Sequence, residues 1–477
     1  MLRCASVTLV DLLSCAPIPA IATIARRHNT PVVVVGGAVR DALLGRISHD
    51  LDFSVQGDAI ALARACANSL DGAFYVMDAA RGVARVLLGN DASPRLVLDF
   101  VKCRGASWQA DLLDRDFTLN AIACNIDSGS LIDPMHGSAD IAARRLRAVG
   151  PNSVASDPVR AVRGVRIARQ LGFSIESNTR AQMRAAASHL SGLSAERLRD
   201  ALADLLQLPD AGLAIGELEG LGLLAALLPE TVAMRAERLA GAAAADVLAH
   251  ALQVSGALDG ILADLSTFGG LQTALSDHLA VVAAEGRTRV VTLRLAALLH
   301  DCAKPQTRVE DASGAVSYAG HEAASAALAA ARAAALRFSA DECAQLRVIV
   351  ALHGRPNQLS QIAPAEFARE AHRFLRRAGD CAPDVALLAL ADRAGKPAGA
   401  VLETVNRLLQ VYFQRYAPLA APPPLISGND LLSLGMNPGP QVGAIIDQIR
   451  EAQMLDEVVT HDEAIRLARI LITVSKQ

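Results

Sequence analysis

Residues 32–55 read VVVVGGAVRDALLGRISHDLDFSV, and this stretch decides how the remainder of the chain is understood. Four consecutive β-branched residues have the length and composition of a buried strand. Gly36 and Gly37 end it, AVRDALLG reads as a helix, and DLDFSV reads as a second strand. Two residues without Cβ admit a ligand close to the backbone, and a helix starting there presents free N–H groups. Arg40 in its first turn adds a cation suited to phosphate. For the glycines alone, an ordinary strand–helix turn is the simpler explanation. Asp50 and Asp52 demand a further one. On a strand, residues i and i+2 project to the same side, and two like charges so close are unfavourable unless a cation joins them. Hard oxygen ligands suit Mg²⁺, which binds through one or two carboxylates plus phosphates and keeps several waters.

The 477 residues exceed what a single hydrophobic core serves and predict roughly two to four domains. Hydrophobic residues reach 52% while aromatics stay at 3%, with alanine filling long stretches, so the expectation leans helical. Mean hydropathy is +0.29, yet no window of about 18 residues is free of charge, which argues against a membrane-spanning helix. Residues 1–27 superficially resemble a secretory leader, but Asp11 interrupts the apolar run. The eight cysteines (4, 15, 66, 103, 124, 302, 343 and 381) form no CxxC pair. That pattern fits reduced thiols in a cytoplasmic protein and argues against structural zinc. A net charge of −3 gives no bulk attraction to nucleic acid, so a polyanion would need a local basic face.

Residues 1–30 read as an N-terminal helix. From 31 to 137 the segments PVVVV, DLDFSV, ARVLL, PRLVLDFV and TLNAIACNI are strand-like and joined by Gly, Asn and Asp turns, which predicts a small head with a mixed sheet. After DPMHGSAD the strands are expected to stop. Residues 138–235 form a helical neck, residues 236–415 a second, Ala-rich helical domain, and residues 416–477 a helical tail entered through the proline cluster PLAAPPPLISG. The expected class is α+β, a sheet-containing head followed by an all-α body. In the tail, the PGP turn of NPGPQ is read as a helix cap.

Five segments carry a resemblance: GGAVRDALLG (36–45), HDLDFSV (49–55), RDFTLNAIA (115–123), DPVRAVRGVRIARQLGF (157–173) and ERL (196–198). In that order they resemble the motif series of tRNA CCA-adding enzymes and bacterial poly(A) polymerases, class II nucleotidyltransferases of the polymerase-β-like superfamily. The resemblance implies that Gly36, Gly37 and Arg40 hold a nucleoside triphosphate and that Asp50 and Asp52 bind two Mg²⁺. In the two-metal scheme one ion acidifies the RNA 3′-hydroxyl and the other stabilises charge on departing pyrophosphate. It further implies that Arg115 contacts the nucleotide and that Asp116 and Asn120 order the site around the sugar. Turn capping by Asp116 and Asn120 is compatible with that role. Asp99, in RLVLDFV, is either a third carboxylate or a strand-end acid facing solvent.

Asp157, Arg160, Arg163 and Arg166 recur every third residue, which keeps them near one face of a helix. By pattern alone this is a solvated basic helix. A sharper reading comes from the bases. Cytosine and adenine both present an amino donor beside a ring-nitrogen acceptor, and a carboxylate with a guanidinium matches both. Guanine and uracil reverse both partners and leave charged groups unpaired. The family motif is Glu-Asp-x-x-Arg, and here Ser156 replaces the first acid. By similarity Arg163 and Arg166 hold the nucleotide, while Arg144, Arg145, Arg147 and Arg169 offer a basic face for tRNA.

In the helical body, His250, His300-Asp301, His321, His353 and Asp392 follow the order of the HD phosphohydrolase superfamily. Imidazoles and carboxylates drawn from several helices suit one or two divalent metals, although a single core histidine is more often a satisfied buried polar group. The expected activity is CCA addition to tRNA 3′ ends from CTP and ATP. The alternatives are poly(A) polymerase, partial CC- or A-adding activity, or a metal phosphohydrolase acting on RNA ends. VKCRGASWQADLLD, before RDFT, is short, and a truncated loop there would weaken the full CCA assignment. The sequence leaves the oligomeric state open.

Overall fold

The computed structural model describes residues 8–89, 96–239, 246–393, 397, 399–417 and 422–474. The chain forms two compact units, Met1–Ala201 with Glu217–Leu227, and Leu202–Gly216 with Leu228–Gln477. The start of the expected N-terminal helix (1–7) and the middle of the proline-rich linker (418–421) lie outside the described residues.

The first unit is built on seven strands: β1 (Val32–Val35), β2 (Asp50–Val55), β3 (Ala73–Asp78), β4 (Val83–Leu88), β5 (Leu96–Lys102), β6 (Ala123–Asn125) and β7 (Leu131–Ile132). Their spatial order is β3-β4-β5-β2-β1-β6-β7. β2 and β5 run parallel, and the other pairs are antiparallel. Strand alternation sorts the residues by face. Leu51, Phe53, Val55, Leu98, Phe100, Ala84 and Val86 are all buried to 1% exposure or less. The rings of Phe53 and Phe100 stack with centroids 4.9 Å apart. Helix α4 (Ala59–Leu70) packs against β4 and β5. Burying each of these large side chains contributes about 1.5–3 kcal/mol. The opposite face carries Asp50, Asp52 and Ser54 on β2, level with Val97, Asp99 and Val101 on β5.

Two expectations for residues 1–137 need correction. The N-terminal segment is two helices, α1 (Leu9–Ser14) and α2 (Pro17–Arg27), because Pro17 lacks the N–H needed to continue a helix. TLNAIACNI is not one strand: Thr118–Asn120 form a 3₁₀ turn and only Ala123–Asn125 pair with the sheet. The Asp116 carboxylate accepts the Phe117 N–H at 2.8 Å and the Asn120 amide at 3.1 Å, and such local bonds compete with a ladder.

Around the sheet lie α3 (Gly37–Leu43), α5 (Trp108–Leu113) and α6 (Gly137–Ala142), followed by α7 (Val159–Leu171), α8 (Ser177–Ala186) and α9 (Ala195–Leu206). Strands do not stop at 137, since Arg145–Leu146 and Ser174–Ile175 make a short parallel pair. Gly164 sits in the middle of α7, where glycine ordinarily costs about 1 kcal/mol. A Cβ there would come within 2.6 Å of the Phe117 ring and 2.2 Å of Met183 Cε, so the glycine allows the neck helix to lie against the RDFT turn. Asp140, fully buried on α6, accepts from Thr118 Oγ1 at 2.7 Å and from Arg145 and Arg147 at 2.8 Å. It ties the turn to the chain that leads into the neck.

The second unit is mainly helical, with small hairpins at 282–288 and 309–317. Its long helices include Val247–Ala263, Arg289–Leu299, His321–Ala335, Ala340–Leu352 and Ala382–Ala391. The tail helices Gly428–Ser433, Pro440–Met454 and His461–Val474 close on Leu431, Ile445, Ile449, Ala464 and Ala468. Pro440 is the first helical residue behind Gly439, so the PGP turn caps a helix as expected. Among the described residues no helix is long and apolar enough to cross a membrane.

Candidate active site

β1 runs into Gly36, whose φ of +75° is open to glycine at little cost. A Cβ on Gly36 would meet Arg115 Nη1 at 3.1 Å and Asp52 Oδ2 at 3.3 Å. The glycine therefore lets a guanidinium and a carboxylate approach the strand end. Asp52 lies opposite Val35 on one side and level with Asp99 on the other. Asp50 occupies the exposed start of β2 on the same face. Asp99 is a mid-strand residue and not a strand-end acid: Arg85 of β4 grips it through two bonds of 2.8 Å.

Burial pushes the Asp52 carboxyl above the usual aspartate range, Arg115 opposes that rise, and Asp99 and Asp50 add to it. Asp99 is already paired with Arg85, so Asp50 and the buried Asp52, which resists ionisation, are the two carboxylates that a divalent cation would relieve. The residues present fit such an ion.

The cavity beside Asp52 has a volume of about 290 Å³, and its wall includes Arg115, Asp116, Asp157, Arg160 and Arg163. A chain of polar contacts crosses three elements. Arg40 Nη1 on α3 donates to Asn120 Oδ1 at 2.9 Å, Asn120 Nδ2 donates to Asp116 Oδ1, and Asp116 Oδ2 pairs with Arg163 Nη2 at 3.1 Å. Gly37 opens α3, next to the Arg40 guanidinium. Of the head and neck candidates, Asp52, Arg115, Asp116, Asp157, Arg160 and Arg163 line the cavity, Gly36 borders Asp52 and Arg115, and Arg40 and Asn120 join through the polar chain. Asp50, Gly37 and Arg166, which faces Gln170, are outside its wall, and Arg145 and Arg147, expected to face tRNA, are held by Asp140.

The expectation that Asp157 shares a helix with Arg160 needs correction. Asp157 precedes α7 instead of lying within it, and Arg197 of α9 donates to both its oxygens at 2.7 and 2.8 Å. Arg160 Nε stands 3.9 Å from Asp157. The rest of its guanidinium donates to the carbonyls of Asp114 at 2.8 Å, Arg115 at 3.1 Å and Ser153 at 3.0 Å. Three backbone acceptors in one place hold this fork.

Asp111, on α5, belongs to none of the sequence motifs. It is 5% exposed, accepts from Ser54 Oγ and the Arg104 N–H at 3.0 Å each, and stands 3.8 Å from Arg115 Nη2. No local pattern marks it. Arg85 and Asp99 could have been found, since ARVLL and RLVLDF, read as a hairpin, set them opposite one another.

In the second unit, all six HD candidates converge. His300 and Asp301 follow helix Arg289–Leu299, His353 and Asp392 cap two other helices, and His321 begins a fourth. The Nδ1 atoms of His300, His321 and His353 lie 2.9, 2.8 and 2.7 Å from the carbonyls of Ala297, Tyr318 and Val350. With the proton on Nδ1, each Nε2 lone pair points inward, the orientation that backbone carbonyls impose on metal-binding histidines. Asp301 lies 3.2 Å from His300 Nε2 and 3.3 Å from His321 Nε2. His250 Nε2 is 2.8 Å from Asp392. Two overlapping triads, His250–His300–Asp301 and Asp301–His321–His353, could each hold a metal ion. Burial opposes charging His300, but Asp301 and Asp392 push it up to about 10. Burial and the neighbouring His300 push His353 down to about 4. Mostly buried imidazoles and a carboxylate brought together from several helices fit a cation.

Similarity to known proteins extends over most of the chain. The Poly A polymerase head domain family matches residues 32–147, and the family described as the probable RNA and SrmB-binding site of polymerase A matches residues 172–234. The chain is 34% identical to the A-adding tRNA nucleotidyltransferase of Deinococcus radiodurans, over 90% of this chain and 93% of that one. It is 33% identical to the CC-adding tRNA nucleotidyltransferase of Geobacter sulfurreducens, over 94% of each. Among solved structures it shares the fold of a CCA-adding enzyme in complex with CTP, at TM-score 0.66, 19% identity and 98% coverage of both chains.

Proposed function

The chain belongs to the tRNA nucleotidyltransferases built on the Poly A polymerase head domain, and we propose that it extends tRNA 3′ ends with C and A from CTP and ATP, without a template and with release of pyrophosphate. The observation that carries this reading is the carboxylate row Asp50, Asp52 and Asp99 on one sheet face beside a cavity walled by Arg115, Arg163 and Asp157. Asp50 and Asp52 would hold Mg²⁺, which when bound acidifies the attacking hydroxyl and neutralises charge on the leaving group. Arg40, Arg115 and Arg163 bind and orient the triphosphate. Asp116 and Asn120 fix two of those guanidiniums through their contacts to Arg163 and Arg40.

Asp157 presents a carboxylate to the amino group that cytosine and adenine share. Arg160 anchors the turn that carries it. Arg160 uses three of its five N–H groups on backbone carbonyls, and the remaining donors, Nε among them, would meet the ring-nitrogen acceptor that cytosine and adenine share. The relatives matched over most of the chain add CC or A alone. That favours a second reading within the class, in which this chain adds part of the triplet. For the helical unit we propose a divalent metal held by His250, His300, Asp301, His321, His353 and Asp392, with hydrolysis at RNA ends as the activity such a centre would support.

One experiment tests both levels. Purified protein with Mg²⁺ receives tRNAs ending before the CCA, after C and after CC, with each nucleotide singly and together. Growth by three, two, one or many residues names the activity. Phosphate release without growth assigns the chain to the hydrolase class instead.

A further inference from the structure

We propose that Asp111 is the counter-charge that holds the Arg115 guanidinium away from Asp52, leaving the Asp52 oxygens to a divalent cation. The inference rests on the transferase reading above and adds a positioning residue to it.

Arg115 stands between two acids. Its Nη1 and Asp52 Oδ2 border one point, 3.1 and 3.3 Å from where a Cβ on Gly36 would lie. Its Nη2 faces Asp111 Oδ2 at 3.8 Å, and among the described residues this is the one ion pair that Arg115 makes. The main chain is fixed from elsewhere, since the Arg115 carbonyl accepts from Ser153 Oγ and Arg160 Nη1 at 3.1 Å each. Nε of the guanidinium is buried without a partner. No other bond therefore ties the guanidinium down, and the two acids decide which way it leans.

Asp111 is itself held in place. Buried on α5, it accepts the Arg104 N–H on Oδ1 and the Ser54 hydroxyl on Oδ2, at 3.0 Å each. With both oxygens engaged it is a fixed charge and not a further ligand for the ion. Ser54 follows Asp52 by one strand period on the same face of β2. The strand that presents the metal ligand thus also anchors the neighbouring charge. A guanidinium and a divalent cation compete for one carboxylate, and an arginine with no other acid nearby would pair with Asp52. Asp111 removes that competition and keeps Arg115 beside the ion site, with Nη1 left for a phosphate oxygen.

The test is Mn²⁺ binding to the full chain without RNA or nucleotide, read from the electron paramagnetic resonance signal of the free ion. Asp52→Ala defines the Mn²⁺ taken up elsewhere, the helical cluster included. Asp111→Asn keeps both hydrogen bonds, because the Ser54 hydroxyl turns to accept, and loses only the charge. Expected is a Kd about tenfold weaker in Asp111→Asn, recovered to within about threefold when Arg115→Gln is added. Arg115→Gln alone should move Kd by less than about threefold, because Asp111 already holds the guanidinium off. An unchanged Kd in Asp111→Asn overturns the proposal. A loss that Arg115→Gln does not recover overturns it too, and makes Asp111 a ligand or a strut. So does an equal gain from Arg115→Gln with and without Asp111, which means that the charges act independently. If Asp111→Asn does not fold, Arg115→Gln alone still decides, since a tenfold gain there overturns the proposal. Extension of tRNA is assayed in parallel. The expected metal pattern in a chain that extends nothing overturns the transferase reading and leaves Asp111 in its role. Mn²⁺ uptake that Asp52→Ala does not reduce overturns the metal assignment and the proposal with it.

Discussion

The two ligand clusters of this chain are built in opposite ways. Asp50 and Asp52 sit two residues apart on one strand, with a third acid level on the next, on a face that opens to a cavity. The six HD residues span His250 to Asp392, stand mostly at helix ends, and include a fully buried His300. A strand delivers two ligands to one place by its own period, so that site needs little chain and can stay open to large substrates. Helix ends deliver one ligand each, so the second site needs a folded unit before it exists and is closed by the helices that make it. The first suits triphosphate and RNA. The second suits a tightly held ion.

The largest effect expected from this contrast is on chemistry. Asp52→Ala should lower extension by at least about 10³-fold, several kcal/mol of transition-state stabilisation, with an unchanged unfolding midpoint. Asp301→Asn should leave extension within about threefold while removing metal measured by elemental analysis of the purified protein. Equal loss of extension in both variants would erase the distinction between the sites.

Next comes base choice. Asp157→Ala should reduce the preference for CTP and ATP over UTP and GTP by about 10–100-fold, read from single-nucleotide kcat/KM values. An unchanged preference would remove the carboxylate from base reading.

A smaller effect, on stability, compares the frames of the two units, each braced by a fully buried aspartate: Asp140 with Arg145 and Arg147, and Asp384 with His278 and Arg289. Burial works against ionisation of Asp140, but Thr118, Arg147 and Arg145 hold its carboxyl below the usual range. Because the folded pKa is depressed, its contribution is complete above the ordinary aspartate value of about 3.9 and fades as pH falls towards the folded one. Asp140→Asn should cost about 2 kcal/mol at pH 7, with the deficit shrinking below about pH 4 in denaturant titrations. A deficit independent of pH would mean that charge is not what Asp140 supplies.

The smallest effect should follow Gly36→Ala. A φ of +75° costs an alanine about 1 kcal/mol, and its Cβ would crowd Arg115 and Asp52. Activity should therefore fall by more than the stability loss alone explains. A variant with full activity would show that Arg115 and Asp52 do not need the space.

Much of the active site is legible in the sequence because its elements are short-range. DLD on a strand and arginines at every third position of a helix are periods of the backbone itself, and Asp50, Asp52, Arg160 and Arg163 follow from them. The partners of those residues are not legible. Arg160 turns to three carbonyls and Asp157 to Arg197, 40 residues away, because the neck helix lies against the RDFT turn where Gly164 admits Phe117. Asp111 has no signal, since its partners Ser54, Arg104 and Arg115 belong to three separate segments. TLN has the texture of a strand yet forms a turn, because Asp116 offers the backbone nearer bonds than a neighbouring strand could.

Sequence alone settled which residues carry charge, which period they follow and hence which chemistry the head can support, since those properties need only neighbours along the chain. Tertiary structure settled which carboxylate meets which guanidinium, that Asp99 stands beside Asp52, and that six dispersed residues form one cluster. Each of these depends on segments that touch only after the core has closed, and the energy that closes it comes from non-directional burial of side chains such as Phe53 and Phe100, which leaves no mark at the sites it brings together.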